Sequence, residues 1–315
     1  MGYKLAGYTV LGNCEIDPKI AAVYEANHHP KYSFQMDIRE FNKRTDIPEE
    51  LLDLDILDGS PPCSTFSMAG SREEGWNKEK VFREGQKKQR LDDLFFAFIE
   101  TTEKLGPKVF VAENVKGLIT GKARGYVNEV IKGFQDIGYT VQLFLLDSSL
   151  MGVPQKRERV FFIGAKKELG FPKLVLNFCE KPVTFGEVRT EHGIPLQDGI
   201  MKELVARRKP GDSDLSDVCK RERGKSSMYL QRFAKDGKPS PTVTAGASIL
   251  RFCDGERFSD MDCVNVQTFP QDFDFSGQPA MYVTGMSVPP VMMANVADQI
   301  NKQWFEKSEK SIKSH

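Results

Sequence analysis

The feature that most constrains the fold is an alternation of strand-like and helix-like segments through the first half of the chain. Short apolar runs predict strands, and longer segments begun by Asp-Pro or closed by glycine predict helices. Such alternation is typical of a parallel sheet covered by helices on both faces. The segments are, in order, YTVLGNCEI (strand), DPKIAAVYEANH (helix), LLDLDILDG (strand), RLDDLFFAFIETTEKLG (helix), KVFVAENV (strand) and RGYVNEVIKGFQDIG (helix).

The pattern then changes twice. YTVQLFLLD and RVFFIGA predict an antiparallel pair at the sheet edge, and from Leu169 to about Lys238 the chain is irregular, polar and basic. SPTVTAG predicts one more strand, and SVPPVMMANVADQINKQW predicts an amphipathic helix begun by prolines. We therefore expect a large α/β domain over residues 1–167, a small domain over 168–238, and a return to the large domain over 239–315.

Composition restricts the class of protein. No apolar run is long enough to span a bilayer, and the start MGYKLAGYTV lacks a signal-peptide layout, so we expect a cytoplasmic protein. Six scattered cysteines predict free thiols and no metal site. The net charge is zero, yet Met201–Lys238 carries eleven Lys and Arg against six Asp and Glu, a local excess of +5. Such a run is usually a solvated face, although it also suits a polyanionic partner.

Three polar stretches lie where strands of the large domain should end. They are GSPPCSTFS with Cys63, ENV beginning at Glu113, and QKRER with Arg157 and Arg159. Taken singly, the cysteine suits a small buried side chain, the carboxylate a cap, and the arginines a solvated edge. Together they suit covalent catalysis on an electron-poor ring. A thiolate adds to the ring, a carboxylic acid donates to a ring nitrogen, and an arginine steadies the adduct or binds a phosphate.

PPCSTFS, ENV and QKRER, in this order and spacing, resemble the signature blocks of DNA cytosine-5 methyltransferases of bacterial or phage type. The resemblance extends over nearly the whole chain, through EIDP, KPSPTVTAG, QTFPQDF and YVTGMSVPPVMMANVADQI. It implies a Rossmann-like sheet that binds S-adenosylmethionine, with helices on both faces, and a small irregular target-recognition domain.

The resemblance also implies residue roles. Cys63 would attack C6 of a flipped-out cytosine, Glu113 would bind N3 and the amino group, and Arg157 or Arg159 would support the adduct. Ser71–Arg90 resembles the mobile loop that closes over the DNA. The cofactor-binding positions would be Glu15, Ile16, Asp37, Ile38, Pro62, Leu94, Ser287 and Val288. The DNA-binding positions would be Ser67, Gln155, Arg207, Arg208, Arg221, Arg223 and Thr242.

The chain departs from the family at its start. The family opens with a strand and a turn of the form Phe-x-Gly-x-Gly-Gly, whereas this chain matches only from the middle of the following helix. That strand is central in the fold, so without it we expect its neighbours to lack ladder partners. We expect that residues precede Met1 in the native protein; the alternative is a truncated chain that binds the cofactor poorly. Met286 also stands where the family usually carries asparagine.

Three functions remain open on the sequence. The first is a DNA cytosine-5 methyltransferase of a restriction–modification system or an orphan enzyme, acting on double-stranded DNA at the nucleoid, with a cognate endonuclease as a separate chain. The second, from another class, is a catalytically impaired DNA-binding or accessory protein. The third is a tRNA cytosine-5 methyltransferase, which shares these blocks. The long basic segment favours DNA.

Overall fold

The computed structural model describes residues 1–62, 93–120, 124–225, 231–246 and 248–306. Cys63, Ser67 and the predicted loop Ser71–Arg90 lie outside the described residues. Within the described ranges no helix is both long enough and apolar enough to cross a membrane.

Among the described residues the main sheet has four strands, β3 (Ile56–Gly59), β4 (Val109–Val115), β5 (Tyr139–Asp147) and β6 (Glu158–Lys166). Their order across the sheet is β3-β4-β6-β5. β3 runs parallel to β4, whereas β6 is antiparallel to both β4 and β5. The predicted antiparallel pair at the edge is thereby confirmed. β4 and β6 are the inner strands and are buried along most of their length, which explains why both read as continuous apolar runs.

Helices cover both faces, as the alternation predicts. One face packs on α11 (Pro290–Ile300), through Val109 and Val111 of β4. The other face packs on α4 (Leu94–Leu105) and α5 (Arg124–Asp136), through Phe110 and Ala112. Alternate residues of one strand therefore belong to two separate apolar clusters, which is the period-two signature of a strand buried on both sides.

Local sequence signals set the helix ends. α2 (Pro18–His28) begins with Asp17 as its N-cap, whose carboxylate accepts a hydrogen bond of 2.9 Å from the Lys19 amide, and Pro18 is its first residue. α4 ends at Gly106, whose φ of 57° requires the left-handed conformation that glycine adopts without strain. These boundaries confirm the predictions made from the sequence.

A second, two-stranded sheet lies apart from the main one. It consists of β1 (Gly12–Cys14) and β2 (Tyr32–Phe34), which run parallel. Within the described part of the chain, β1 and β3 each have one edge without a strand partner. That a further strand belongs between these two edges stays a prediction. α3 (Ile38–Lys43) follows β2, and a 3-10 turn, Glu49–Leu52, precedes β3.

The N-terminal segment covers the space beside β3. α1 (Gly2–Leu5) packs so closely on α11 that a Cβ on Gly2 would lie 2.5 Å from Cβ of Met293. The Lys4 ammonium donates to the carbonyl of His28 at 2.8 Å, which ties α1 to the end of α2. α1 therefore links α2, α11 and β3.

The smaller part of the molecule has its own apolar clusters. At its centre the guanidinium of Arg251 and the carboxylate of Asp262 are both fully buried, 3.4 Å apart. Between Leu169 and Lys238, where the sequence predicts irregular structure, the elements are short: α6 (Phe185–Val188), α7 (Ile200–Ala206), α8 (Leu215–Arg223) and β7 (Phe233–Ala234). β8 (Leu250–Arg251), α9 (Asp260–Val266) and α10 (Ala280–Met286) follow. The boundaries 168–238 stay a prediction.

The prediction of a strand at SPTVTAG is wrong. Residues 240–246 form only isolated bridges. Pro241 has no amide hydrogen for a ladder, and the backbone of Ser240 instead bonds to Pro154 and Lys156 at 2.9 Å each. The predicted helix begun by prolines is confirmed as α11, which continues into a π-helical turn at Asn301–Phe305.

Candidate functional site

The carboxyl ends of β3 and β4 are joined by a buried side chain. Asn114, 4% exposed, donates from Nδ2 to the carbonyl of Pro61 at 3.0 Å and accepts the amide of Val115 at 2.9 Å. Pro61 lies two residues before Cys63, so this hydrogen bond fixes the backbone just before the cysteine. Asn114 lies inside the ENV motif, but nothing in the sequence indicated that its partner would be Pro61.

Glu113 and Arg159 form an ion pair at the same edge. Nε of Arg159 lies 2.8 Å from Oε1 of Glu113, and the two side chains are 15% and 12% exposed. Arg159 faces Val115 across the β4–β6 pair, so it is a diagonal neighbour of Glu113 on one face of the sheet. Burial lowers the pKa of Arg159, while the charge and hydrogen bond of Glu113 act in the opposite direction. The guanidinium therefore holds the carboxylate of Glu113 in place at the end of β4.

Arg157 has a different environment. It is 1% exposed, and its two terminal nitrogens donate to the carbonyls of Val243 at 2.8 Å and Gly285 at 2.9 Å. Burial lowers the pKa of Arg157, and the neighbouring Arg159 adds to this effect while Glu113 opposes it. A guanidinium nevertheless stays protonated near neutral pH. The structure thus separates two arginines that the sequence left equivalent: Arg159 contacts Glu113, and Arg157 joins three backbone segments.

The neighbours of Arg157 belong to the same junction. Gln155 is fully buried, accepts the amide of Val243 at 2.9 Å and donates to the carbonyl of Val266 at 3.3 Å. The Thr242 hydroxyl donates to the carbonyl of Lys156 at 2.7 Å. These bonds hold residues 240–243 against the segment that precedes β6, beside the Glu113–Arg159 pair.

Replacing Arg157 by methionine is expected to lower the free energy of unfolding by about 2–4 kcal/mol, because two buried carbonyls lose charge-assisted donors. Chemical denaturation followed by circular dichroism measures this change. Lys132→Met, which removes an exposed ion pair to Asp136, is the control and should change stability by less than about 1 kcal/mol. An Arg157→Met protein as stable as the unaltered one would contradict this reading of the junction.

The carboxyl ends of β1 and β2 carry a second group of predicted residues. Glu15 accepts the amide of Asp17 at 2.8 Å, and Ile16 beside it is 39% exposed. Asp37 caps α3 and accepts hydrogen bonds from the amide and guanidinium of Arg39, which lower the pKa of its carboxyl. Since β1 and β2 are adjacent and parallel, their ends lie at one edge. Exposed apolar surface beside carboxylates fits a nucleoside, whose base is flat and apolar and whose sugar donates hydrogen bonds.

The remaining predicted cofactor positions lie on separate elements. Pro62 follows β3, Leu94 begins α4, Ile38 begins α3, and all three are half-buried. The Ser287 hydroxyl donates to the carbonyl of Val283 at 2.7 Å, and Val288 packs against the cluster around α11.

The structure sorts the predicted DNA-binding arginines by their partners. Arg208 donates to three carbonyls, those of Val205, Phe252 and Cys253, at 2.7–3.1 Å. Arg221 pairs with Asp212 and Glu222, and Arg207 lies 3.3 Å from Glu222. Arg223 is exposed and makes no ion pair with the described residues. Three of these four arginines therefore have partners within the protein. A count of charged residues in the sequence could not separate them from Arg223.

No group of His, Cys, Asp and Glu within the described ranges has the arrangement of a metal site.

The chain is similar to known proteins along its whole length. A family model described as C-5 cytosine-specific DNA methylase matches residues 1–302. The Type II methyltransferase M.FnuDI of Fusobacterium nucleatum is 28% identical, covering 98% of this chain and 92% of that relative. The Type II methyltransferase M1.HphI of Haemophilus parahaemolyticus is 27% identical, covering 96% and 83%. A solved structure described as a DNA modification methyltransferase from an E. coli prophage superposes with a TM-score of 0.68 at 18% identity, covering 96% and 94%.

Proposed function

Since the chain belongs to the family of C-5 cytosine-specific DNA methylases, it is a DNA cytosine-5 methyltransferase, and we propose that it acts through a covalent Cys63 adduct on a flipped-out cytosine. The observation that carries this mechanism is the ion pair between Glu113 and Arg159, 2.8 Å apart at the carboxyl edge of the sheet. The tether from Asn114 to Pro61 brings the loop before Cys63 to the same edge.

Each catalytic side chain has one task in this proposal. The Cys63 thiolate adds to C6 of the cytosine, and a proton held between Glu113 and N3 moves onto N3 as negative charge develops on the ring. The proton returns to Glu113 when Cys63 is eliminated. Arg159 orients Glu113 and stabilises the adduct, whereas Arg157 holds the junction behind it. After the methyl group is transferred to C5, the C5 proton leaves and Cys63 is eliminated, which restores the aromatic ring. Flipping costs about a few kcal/mol, because the cytosine must leave the base stack.

S-adenosylmethionine supplies the methyl group as an electrophile when bound, and family membership supports its use here. Glu15 and Asp37 would bind the ribose and the adenine, and Ile16 and Ile38 would pack against the base. Pro62, Leu94, Ser287 and Val288 would complete the site from the catalytic side.

Double-stranded DNA would lie across the edge that carries Glu113 and Arg159. Ser67, Thr242 and Arg223 are the proposed phosphate contacts, and Arg207 adds to the positive field. Gln155, Arg208 and Arg221 would act on DNA indirectly, by holding the backbone on which the recognition surface depends. The names of the relatives suggest a restriction–modification system, so we propose a cognate endonuclease as a separate chain.

Transfer of tritiated methyl groups from S-adenosylmethionine to unmethylated duplex DNA tests this function. We expect incorporation at cytosine C5, and none into the same DNA synthesised with 5-methylcytosine throughout. Incorporation into tRNA but not into duplex DNA would overturn the choice of substrate. DNA binding without S-adenosylmethionine binding and without transfer to any nucleic acid would favour the accessory protein.

A version extended before Met1 by a strand and a glycine-rich turn tests the open edges of β1 and β3. If these edges limit cofactor binding, the extended protein should bind S-adenosylmethionine more tightly than residues 1–315, as isothermal titration calorimetry would measure. Equal affinity of the two proteins would show that the sheet needs no further strand to hold the cofactor.

A further inference from the structure

Asp58 is a carboxylate of the catalytic edge that no step above uses. It lies on β3 opposite Val111 of β4, and Glu113 is two residues farther along β4. Residues two apart on a strand project from the same face, so Asp58 and Glu113 are diagonal neighbours. Two like charges at this separation disfavour each other, so a purely structural role would favour a neutral residue at position 58.

The surroundings of Asp58 do not neutralise it. Tyr3 of α1 donates to Oδ1 at 2.9 Å, and the second oxygen has no hydrogen-bond partner among the residues that the structure describes. No Lys, Arg or His of those ranges lies within ion-pair distance of the carboxylate. The side chain keeps contact with solvent, while protein atoms crowd it from α1 and β4. The α-amino group of Met1 acts on this carboxylate only from beyond ion-pair distance. A crowded carboxylate with no cation in direct contact is the kind of group that a cationic ligand can satisfy.

The position of β3 indicates which ligand group would meet it. Leu57 of β3 packs in one apolar cluster with Leu11, Tyr32 and Phe34, which places β3 between the β1–β2 pair and β4. Glu15 and Asp37, whose surroundings fit a nucleoside, lie on one side of Asp58, and Glu113 lies on the other. A cofactor whose nucleoside lies at the first group and whose methyl group points toward the second carries its amino-acid end, on the far side of the sulfur from the nucleoside, to β3 and Asp58.

We propose that Asp58 binds the α-ammonium group of the methionine portion of S-adenosylmethionine. This inference rests on the proposed use of that cofactor. The free carboxylate oxygen accepts a charge-assisted hydrogen bond from the ammonium, and Tyr3 holds the other oxygen in position. Asp58 is therefore a binding residue for the cofactor and takes no part in bond making.

This role has a pH dependence whose sign follows from the neighbours. Burial raises the pKa of Asp58 to about 6, with Glu113 adding to the shift, while the Tyr3 hydrogen bond and the α-amino group of Met1 oppose it. Tyr24 of α2 is the other titratable group that senses this charge. Because the ammonium needs the ionised carboxylate, cofactor affinity should be full above pH 6 and fall as the pH drops below 6.

Two ligands separate this contact from the rest of the site. S-adenosylhomocysteine carries the α-ammonium group, whereas 5′-methylthioadenosine has the same nucleoside without the amino acid. Isothermal titration calorimetry at pH 7.5 would compare the unaltered protein with Asp58→Asn and with a control, Asp55→Asn. Asp55 lies three residues before Asp58, and its replacement removes an exposed ion pair to Lys108. We expect Asp58→Asn to weaken S-adenosylhomocysteine binding by about 10- to 100-fold and to leave methylthioadenosine unchanged.

Equal loss for both ligands, or no loss for either, would overturn the proposal. Tyr3→Phe provides a second test. Removal of the Tyr3 hydrogen bond should raise the pH below which S-adenosylhomocysteine affinity declines. The Asp58→Asn protein, which has no carboxylate at this position, should not show that decline. If neither ligand binds the unaltered protein, the cofactor assignment fails and the role of Asp58 fails with it. Binding that depends on Asp58 without methylation of any DNA would instead support this inference and contradict the proposed function.

Discussion

Replacing Cys63 by alanine is expected to abolish methyl transfer and leave DNA binding intact. Without the sulfur no adduct forms at C6, and C5 stays too electron-poor to accept a methyl group. The rate should fall by more than about 10⁴-fold, the scale on which removal of a nucleophile acts in other covalent enzymes. Transfer of tritiated methyl groups measures the rate, and a gel-shift titration measures DNA affinity.

The matched control is Cys253→Ala, because Cys253 is a free, exposed thiol to which the proposed mechanism gives no role. It should retain full activity. Duplex DNA that contains 5-fluorocytosine adds a direct readout, since fluorine cannot leave C5 as a proton does and the adduct should persist. An unaltered protein that forms no such adduct, or a Cys63→Ala protein that retains activity, would refute the covalent mechanism.

Glu113→Gln is expected to lower kcat by about 10²- to 10⁴-fold, the usual contribution of a positioned acid or base. Glutamine preserves the size of the side chain and can accept a hydrogen bond from Arg159, but its amide cannot supply a proton to N3. It also leaves Arg159 without its counter-charge in a site that is only 15% exposed. Since neither change touches the small domain, KM for DNA should change little. Steady-state kinetics with varied DNA concentration separates the two parameters.

A second pair of variants distinguishes chemistry from packing at this site. Glu129→Gln alters an exposed carboxylate on α5 and should leave kcat unchanged. Arg159→Lys keeps the positive charge but loses the geometry of the guanidinium, so it should lower kcat by less than Glu113→Gln does. If Glu113→Gln kept kcat within about twofold of the unaltered protein, general acid catalysis by Glu113 would be excluded.

Much of the large domain could be predicted because its signals are local. Asp17, Pro18 and Gly106 mark helix ends through backbone conformation and capping, which depend on a few neighbouring residues. The apolar runs of β4 and β6 follow from burial on both faces. The prediction at SPTVTAG failed for the opposite reason. Its β-branched residues suit a strand, but whether a strand forms depends on a distant partner. Here the partner is the segment before β6.

The site could be predicted as a set of residue types but not as a set of contacts. Cys63, Glu113 and the QKRER arginines are recognisable because the chemistry needs a thiol, a carboxylate and a cation at strand ends. Which arginine meets Glu113 depends on the antiparallel register of β4 and β6, which pairs Val115 with Arg159.

The sequence by itself determined the family and the order of most elements and indicated the proposed reacting groups, since these depend on local propensity and on side-chain chemistry. Only the tertiary structure decided which polar groups are engaged inside the protein. Arg157 and Arg208 bond to carbonyls far away in the chain, whereas the second oxygen of Asp58 has no hydrogen-bond partner among the described residues. A buried polar group must find a partner wherever the folded chain brings one near, and sequence spacing does not contain that distance.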